Sequence, residues 1–417
     1  MEELDKYCIT NAPKYPLTEL LEFIVDNRGK TVPTSDTGIA LIATNCIRNE
    51  CLYPKYEKIR YVSDDIYRTW FRSHPQPGDI IFVNKGTPGR TALVPDPVDF
   101  CIAQDMMAFR VKKDVVYNKY LLAVLRSRDI QQFIFNSQVG TIIPHFKKEQ
   151  LKSLLIPLPK MDVQKRIGDF YFSFSEKEEL NRRINENLEA QAQALYKSWF
   201  VDFEPFKDGE FVESEMGMIP KGWRVKSLSG IADYRNGLAM QKFRPLDGEI
   251  GLPVLKIKEL GQGLCDDSSE LCSPSMIGEK YIINDGDIIF SWSGTLMVKL
   301  WCGGKCGLNQ HLFLVDPQGF PNWFVYQWTK HHLDNFIRIA KDKAVTMGHI
   351  KRGELDKAKV VVPDEKGMCD INALMEPLFK QIIAIHIESR RLAQLRDTLL
   401  PRLMSGELEV NEVDCLS

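Results

Sequence analysis

The sequence predicts two copies of a mixed α/β (α+β) domain, each followed by a long helix whose expected coiled-coil partner is the long helix of the other copy. Three observations lead to this prediction. The 417 residues are about two to three times the usual length of a domain. Landmarks recur about 204 to 208 residues apart, and two long segments carry an apolar seam at helical spacing. The 44% hydrophobic and 26% charged residues are ordinary for a globular protein, which excludes disordered and fibrous classes.

The internal repeat decides the architecture, because matching residues occur in the same order in both halves. The run Gly-Asp-Ile-Ile-Phe at 78–82 returns unchanged at 286–290. The matching pairs, in chain order, are Leu20 and Leu228, Gly29 and Gly237, Gly86 and Gly294, Thr87 and Thr295, Gln104 and Gln310, His145 and His349, Pro159 and Pro363, and Leu188 and Leu392. The shift drifts by only four residues, so insertions between the copies are few.

The repeat divides the chain into four predicted segments. Residues 1–160 form the first domain and 161–204 a central spacer helix; residues 205–363 form the second domain and 364–417 a C-terminal spacer helix and tail. Their formal net charges are +4, −3, +1 and −4. Within the domains, Asp79–Val83 and Val360–Pro363 are typical of strands, whereas Asn118–Phe135 and Trp323–Ala340 are typical of helices.

Both spacer segments carry apolar residues three and four positions apart, a near-heptad pattern that favours a partner helix. The first seam is Val163, Ile167, Phe170, Phe174, Ile184, Leu188, Leu195 and Trp199; the second is Ile371, Leu374, Leu378, Ile382, Ile385, Leu392, Leu399 and Leu403. Polar Lys177, Asn181 and Ser389 interrupt these seams, and they either fix the register or mark where the helices diverge. Pro377 indicates either a helix start or a kink.

The sequence lacks the patterns of an enzyme. It has no Walker A, GxSxG, HExxH or GxGxxG motif and no [DN]PP[YF] tetrapeptide, so we expect no catalytic residue and no metal site. The N-terminus lacks the apolar core of a signal peptide, and no apolar run reaches the ~18 residues of a membrane span. The ten scattered cysteines fit a reducing compartment. We therefore expect a cytoplasmic, non-catalytic protein.

Three segments are unusual enough to carry a resemblance. Gln191–Phe206 ends the first spacer, Ile219–Leu228 begins the second copy, and Leu395–Leu408 ends the second spacer. Each resembles the corresponding part of the specificity (S) subunit of Type I restriction-modification systems. Together with the duplicated plan, the resemblance covers essentially the whole chain.

This resemblance implies a function and a set of partners. Each domain would be a target-recognition domain that reads one half of an asymmetric, bipartite double-stranded DNA site. The two long helices would pack antiparallel as a coiled coil and set the unread gap. The subunit would recruit two methyltransferase (M) subunits and, through them, restriction (R) subunits for phage defence. S-adenosylmethionine, ATP and Mg would bind to those partners and not to this chain. The alternatives are an interaction scaffold that does not bind DNA, or a recognition subunit of a related methyltransferase–nuclease system.

Cations, amides and hydroxyls near the repeated landmarks are the predicted DNA contacts, since Arg and Gln can pair with base edges and Lys often meets phosphate. In the first copy these are Arg28, Lys30, Lys85, Thr87, Arg90, His145, Lys147 and Lys148. In the second copy they are Arg235, Gln241, Lys242, Arg244, Ser293, Thr295, Lys299, His349, Lys351 and Arg352. For any one of them, a solvated charge, a tight turn or a structural histidine is the alternative.

An aromatic cluster at the end of the first spacer helix is the predicted contact with the methyltransferase partners, because aromatic residues are enriched at interfaces. It comprises Tyr196, Trp199, Phe200, Phe203 and Phe206. Burial against Trp223 at the start of the second copy is the alternative.

Overall fold

The structure, a computed structural model, describes residues 12–27, 29, 31–140, 142–342 and 350–408. The chain divides into two units: unit 1 comprises residues 1–180 and 392–417, and unit 2 comprises residues 181–391. Both boundaries fall inside long helices, so each long helix contributes one part to each unit.

The described residues of unit 1 form three sheets. Its strands are β1 (Lys14–Pro16), β2 (Leu21–Asp26), β3 (Ile39–Ile42), β4 (Arg60–Val62), β5 (Ile80–Val83), β6 (Thr91–Leu93), β7 (Phe100–Ile102), β8 (Met106–Val111) and β9 (Leu155–Pro157). They pair in the orders β2-β8-β5-β6, β4-β3-β7 and β1-β9. All four strands of the first sheet run antiparallel to their neighbours, whereas β3 runs parallel to β7.

The helices of unit 1 are α1 (Asp64–Thr69), α2 (Asn118–Arg126), α3 (Arg128–Ser137) and the first part of α4 (Met161–Phe200). Strand β5 shows why the layers stack as they do, because successive side chains point to opposite faces. Ile80 and Phe82 pack in the core beneath α2, while Ile81 and Val83 pack in a second core that includes β3 and β7.

In unit 2, the residues that the structure describes form four sheets. Its strands are β10 (Phe211–Ser214), β11 (Gly217–Pro220), β12 (Arg224–Ser227), β13 (Ala232–Asn236), β14 (Leu252–Leu255), β15 (Leu271–Cys272), β16 (Ile282–Ile283), β17 (Ile288–Ser291), β18 (Met297–Leu300), β19 (Cys306–Leu308), β20 (Leu312–Pro317) and β21 (Lys359–Val362). The orders are β13-β20-β17-β18, β15-β14-β19-β16, β12-β21 and β10-β11. Its helices are α5 (Ile257–Gln262), α6 (Asn322–His331), α7 (Leu333–Asp342), α8 (Gly353–Lys357) and α9 (Glu365–Ser405), the last ending in unit 1.

The two units repeat one topology, which confirms the predicted duplication. The sheet β13-β20-β17-β18 corresponds to β2-β8-β5-β6, and β12-β21 corresponds to β1-β9. The parallel pair β14-β19 likewise corresponds to β3-β7. The hairpin β10-β11 belongs to unit 2 alone among the described residues.

Each predicted domain helix is in fact two helices, so those two predictions are corrected. Asn118–Phe135 is interrupted at Ser127, whose ψ of 150° is extended and whose hydroxyl donates to the Val124 carbonyl at 2.7 Å. Trp323–Ala340 is interrupted at His332, whose ring contacts the Lys359 carbonyl at 2.8 Å. The bond at Ser127 is local and competes with continued helix, whereas the partner of His332 lies 27 residues away in the chain. Hydrophobic periodicity shows neither of them.

The long helices pack antiparallel within each unit. In unit 1, Phe170 of α4 packs against Leu399 and Leu403 of α9. In unit 2, the Asn181 amide donates to Glu388 at 2.9 Å, and the Asn185 amide lies 3.4 Å from the Ile382 carbonyl. Asn181 is buried and bonded across the helix pair, which supports the register alternative at this position.

Proline does not mark the start of the second long helix. Helix α9 begins at Glu365 and includes both Pro377 and Pro401, so the alternative that the helix starts at Pro377 is wrong. Each proline removes one backbone donor from the helix. Neither side chain is buried in the seam, so no packing is lost at these positions.

Among the described residues, none of the helices combines the length and the apolar character that a membrane span requires.

Candidate nucleic-acid interface

In unit 1 the predicted DNA contacts meet where the turn after β5 runs beside the segment before the last strand. The Gly86 amide donates to the Pro144 carbonyl at 2.9 Å, and the Phe146 amide donates to the Asn84 carbonyl at 2.7 Å. These bonds bring Lys85, Thr87, His145 and Lys147, which are up to 62 residues apart in sequence, onto one edge of the unit.

The cations at this edge differ in how strongly they are held. Lys85 lies 3.8 Å from Asp105, and its side chain is half exposed. Lys147 is exposed and Arg90 is half-buried, and neither makes an ion pair within the described part of the chain. Among the predicted contacts of unit 1 that the structure describes, Lys147 and Arg90 are therefore the cations most available to a phosphate.

Two of the predicted contacts are equivalent structural anchors. Lys148 donates to the Asp26 carboxylate at 3.1 Å, and Arg352 donates to the Tyr234 carbonyl at 3.0 Å. The first pair is 122 residues apart and the second 118, so each cation ties the segment after its histidine back to β2 or β13. Both cations therefore hold the edge together in the same way in the two units.

In unit 2 the turn after β17 is held by hydroxyl groups. The Ser291 hydroxyl donates to the Thr295 carbonyl at 2.8 Å, and the Ser293 hydroxyl lies 3.1 Å from His311 Nδ1. The Ile350 amide donates to the Trp292 carbonyl at 3.2 Å, which matches the bond from Phe146 to Asn84 in unit 1.

Two predicted hydroxyl contacts are corrected by burial. Ser293 is 8% exposed and bonded within the protein. The Thr87 hydroxyl oxygen is covered, with no hydrogen-bond partner among the described residues. Neither hydroxyl can reach a phosphate as it stands, whereas Thr295 is exposed at the tip of its turn.

Some of the predicted DNA contacts of unit 2 are bonded to a partner within the protein, and others are exposed without an ion pair. Arg235 lies 3.4 Å from Asp233 and 3.3 Å from Asp316, and Arg244 lies 3.3 Å from Glu270. Lys299 donates to the Gly261 carbonyl at 2.8 Å. Lys242 and Lys351 are exposed and make no ion pair in the described ranges, and the Gln241 side chain is exposed as well.

Three predicted contacts, Arg28, Lys30 and His349, lie outside the described residues.

The aromatic cluster is mostly internal. Tyr196 is 1% exposed and Phe200 is 3% exposed, and Phe200 packs against Trp223 with ring centroids 5.8 Å apart. The prediction that these two residues contact a partner is therefore wrong, and the alternative of burial against Trp223 is what the structure has. Trp199, Phe203 and Phe206 are half-buried and pack against the same core.

Two aspartates at equivalent positions of the two units, Asp79 and Asp287, have neighbours of opposite charge. Asp79 is 3% exposed and pairs with Arg110 at 2.9 Å. Its counterpart Asp287 accepts the Asn284 amide at 2.8 Å but faces Asp316 at the position of Arg110. Burial, together with repulsion from Asp316, raises the pKa of the Asp287 carboxyl.

Two exposed isoleucines at the same edge of unit 1 were not predicted. Ile142 is 93% exposed and Ile143 is 53% exposed. The sequence does hold a signal for them, since two adjacent aliphatic residues between Gly140 and Pro144 occupy a turn where polar residues are usual.

No group of three or more His, Cys, Asp or Glu side chains is arranged to hold a metal ion in the part of the chain that the structure describes.

The comparison with known families decides the assignment. The family model described as "Type I restriction modification DNA specificity domain" matches twice, at residues 15–190 and 220–395. The chain belongs to this family. The two matches each include one α/β domain and part of a long helix, so the specificity domain is present in duplicate.

Two relatives match this specificity protein over most of both chains. It is 27% identical over 347 residues to the Type I restriction enzyme MjaIX specificity subunit of Methanocaldococcus jannaschii, covering 81% of this chain and 79% of that one. It is 22% identical over 400 residues to the Type I restriction enzyme HindI specificity subunit of Haemophilus influenzae, covering 79% and 86%.

A solved structure shares the fold. The S subunit of a Type I restriction-modification system from M. genitalium matches with a TM-score of 0.55 at 15% identity, covering 94% of this chain and 96% of that chain. As a member of the family, this specificity protein recognises DNA targets and has no catalytic activity of its own.

Proposed function

We propose that this chain reads an asymmetric, bipartite double-stranded DNA target, with one half-site for the α/β domain of each unit. One observation carries the proposal: the two units share their anchors but differ in part of the groups that are available to DNA. The anchors Lys148 and Arg352 are equivalent, and so are the exposed lysines Lys147 and Lys351, whereas Arg90 is available in one unit only and Gln241 and Lys242 in the other only. Shared geometry with different readout groups fits two different half-sites.

The available groups suit a division between phosphate contact and base readout. Lysines at 147, 242 and 351 are exposed point charges suited to phosphate. Arg90 and Gln241 can make bidentate contacts with base edges. Since the whole chain carries a net charge of −2, binding by the isolated subunit should be weak.

The long helices are proposed to set the gap between the half-sites. Each helix has about 40 residues and contributes to both units. The distance between the two DNA-reading domains would therefore depend on the length of the helices. A fixed helix length would fix the number of unread base pairs.

Two methyltransferase subunits are the proposed partners, with restriction subunits joining through them. The internal repeat offers two similar surfaces to two identical partners. S-adenosylmethionine, ATP and Mg would bind to these partners. Because Tyr196 and Phe200 are buried, the proposed contact surface is instead the exposed parts of the long helices, where Leu374 and Leu395 are about half exposed.

The test is co-expression of this chain with the methyltransferase subunit encoded beside it, followed by methylome sequencing. We expect a split, asymmetric methylated motif that is absent when this chain is omitted. A palindromic or unsplit motif, or methylation that is independent of this chain, would contradict the proposal.

A further inference from the structure

The most exposed large apolar side chain of the described residues lies at the DNA-facing edge proposed for unit 1. Ile142 is 93% exposed, and its neighbour Ile143 is 53% exposed. Single exposed aliphatic residues are common on protein surfaces. Two adjacent ones at the tip of a loop are not, because such tips normally carry polar or turn-forming residues.

The loop that carries them is held rigidly at its base. Val139 and His145 exchange two backbone hydrogen bonds of 2.9 Å, and the Pro144 carbonyl accepts the Gly86 amide at 2.9 Å. Gly140 has a φ of +96°, and a Cβ there would lie 2.8 Å from the Ile143 carbonyl oxygen. Hydrogen bonds therefore hold the residues on both sides of the two isoleucines, and both isoleucine side chains are exposed to solvent.

Cations surround the base of this loop. Lys85 pairs across a backbone bridge with His145, and Lys147 follows two residues later, exposed and without an ion pair among the described residues. Arg90 closes the neighbouring turn through its backbone, donating to the Thr87 carbonyl at 3.4 Å. An apolar tip between cations fits nucleic acid, whose phosphates take the charges while an aliphatic side chain contacts the bases.

The corresponding tip of the second copy has a different sequence. At the shift of 204 that relates His145 to His349, Ile142 and Ile143 correspond to Thr346 and Met347. Positions that differ between the copies are where different bases must be read. This comparison is one of sequence alone, because residues 346 and 347 lie outside the described residues.

We propose that Ile142 and Ile143 form an aliphatic wedge that contacts the bases of the half-site read by unit 1. This inference rests on the proposed function. The wedge supplies sequence discrimination through apolar contact, as with a thymine methyl group or an opened base step, while Lys147 and Arg90 supply phosphate contact.

The test uses the complex of this chain with its methyltransferase subunit and the target found by methylome sequencing. The variant Ile142→Ser/Ile143→Ser is compared with Leu155→Ser, a leucine of the same unit that is 48% exposed on β9, outside the loop. Affinities for target and unrelated duplexes are measured by fluorescence anisotropy across a salt series, and complex assembly is followed by size-exclusion chromatography.

We expect the double serine variant to lose about 10- to 100-fold in target affinity, the size of one or more mismatched base pairs. Its affinity for unrelated DNA and its salt dependence should stay unchanged, and Ile142→Val/Ile143→Val should keep target affinity. Wild-type target affinity in the serine variant would overturn the wedge. Loss of the methyltransferase subunit from that variant would overturn it also and assign the tip to a protein contact. A wild-type complex with no sequence preference would instead refute the proposed function itself.

Discussion

At the scale of single residues, equivalent positions of the two units have different electrostatic environments. Asp79 is neutralised by Arg110, whereas Asp287 lies close to Asp316. A raised folded-state pKa means that the folded protein binds the proton more tightly than the unfolded chain does. The contribution of Asp287 to stability is therefore fully present below the unfolded pKa and is lost as the pH rises through the folded pKa.

Asp287→Asn should raise the melting temperature at pH 7, because the amide keeps an acceptor for the Asn284 amide and removes the repelled charge. The gain should shrink as the pH falls through the raised pKa, since the wild-type carboxyl then takes up a proton. Differential scanning calorimetry between pH 4 and pH 7 measures this.

The matched control is Asp79→Asn, which leaves Arg110 without its carboxylate and should cost about 1–3 kcal/mol. A lower melting temperature at pH 7 for both variants would contradict the assignment of Asp287 as a repelled carboxylate.

Adjacent lysines at the edge of unit 1 should have separable roles. Lys147→Gln should weaken binding to target and unrelated DNA alike and reduce the salt slope by about one phosphate contact. Lys148→Gln should leave that slope unchanged and lower stability by at most about 1 kcal/mol, because its ion pair with Asp26 is partly exposed. Fluorescence anisotropy titrations at several salt concentrations compare the two variants. A change of the salt slope in Lys148→Gln alone would assign the phosphate contact to Lys148 and not to Lys147.

At the scale of elements, the packing of α4 against α9 in unit 1 includes a buried ion pair. Arg396, whose side chain is 10% exposed, donates to both Glu178 oxygens at 2.8 and 2.9 Å and lies over the Tyr171 ring at 5.7 Å. Burial raises the pKa of Glu178, and the guanidinium of Arg396 opposes that rise. Such a pair stabilises one pairing of the helices, since a slip would leave both charges buried and unpaired.

Arg396→Met should destabilise unit 1 by about 3–5 kcal/mol, because Glu178 would remain buried without its partner. The loss of stability should be smaller at pH 5 than at pH 7, because the unpaired Glu178 carboxyl takes up a proton more readily at pH 5 and is then neutral. The double variant Glu178→Leu/Arg396→Met should recover most of the stability. Urea unfolding of the wild type, the single variant and the double variant measures these differences. A double variant as unstable as the single one would contradict the view that the unpaired buried carboxylate causes the loss.

At the scale of the whole molecule, the proposed gap-setting role depends on helix length. Inserting seven residues between Leu180 and Asn181, and seven between Arg391 and Leu392, adds about 10 Å to each helix and keeps the seam nearly in phase. DNA rises about 3.4 Å per base pair, so the methylated motif should gain about three unread base pairs while both half-sites stay the same.

The control for this experiment is the same insertion in α4 alone, which leaves the two helices unequal and should abolish methylation or reduce it strongly. Methylome sequencing reads both results. An unchanged gap in the double insertion would show that the helices do not set the spacing.

Sequence by itself determined the duplicated plan and the two long helices, and the family followed from three of its segments. These are signals of period and order that do not depend on packing. The Gly-Asp-Ile-Ile-Phe run identified the buried strand in both copies, β5 and β17. The breaks at Ser127 and His332 were missed, because a side-chain bond to a carbonyl leaves no trace in apolar spacing.

Only the tertiary structure decided which predicted contacts are available. Lys147 and Lys148 are adjacent residues of the same type, so the sequence does not distinguish them. In the structure Lys147 is exposed, whereas Lys148 is bonded to Asp26, 122 residues away. The sequence allowed Phe200 to lie either at an interface or in a core, and the structure shows it in the core, packed against Trp223. The physical reason is the same in both cases: ion pairing and burial depend on partners that are distant in the chain, whereas periodicity depends on neighbours.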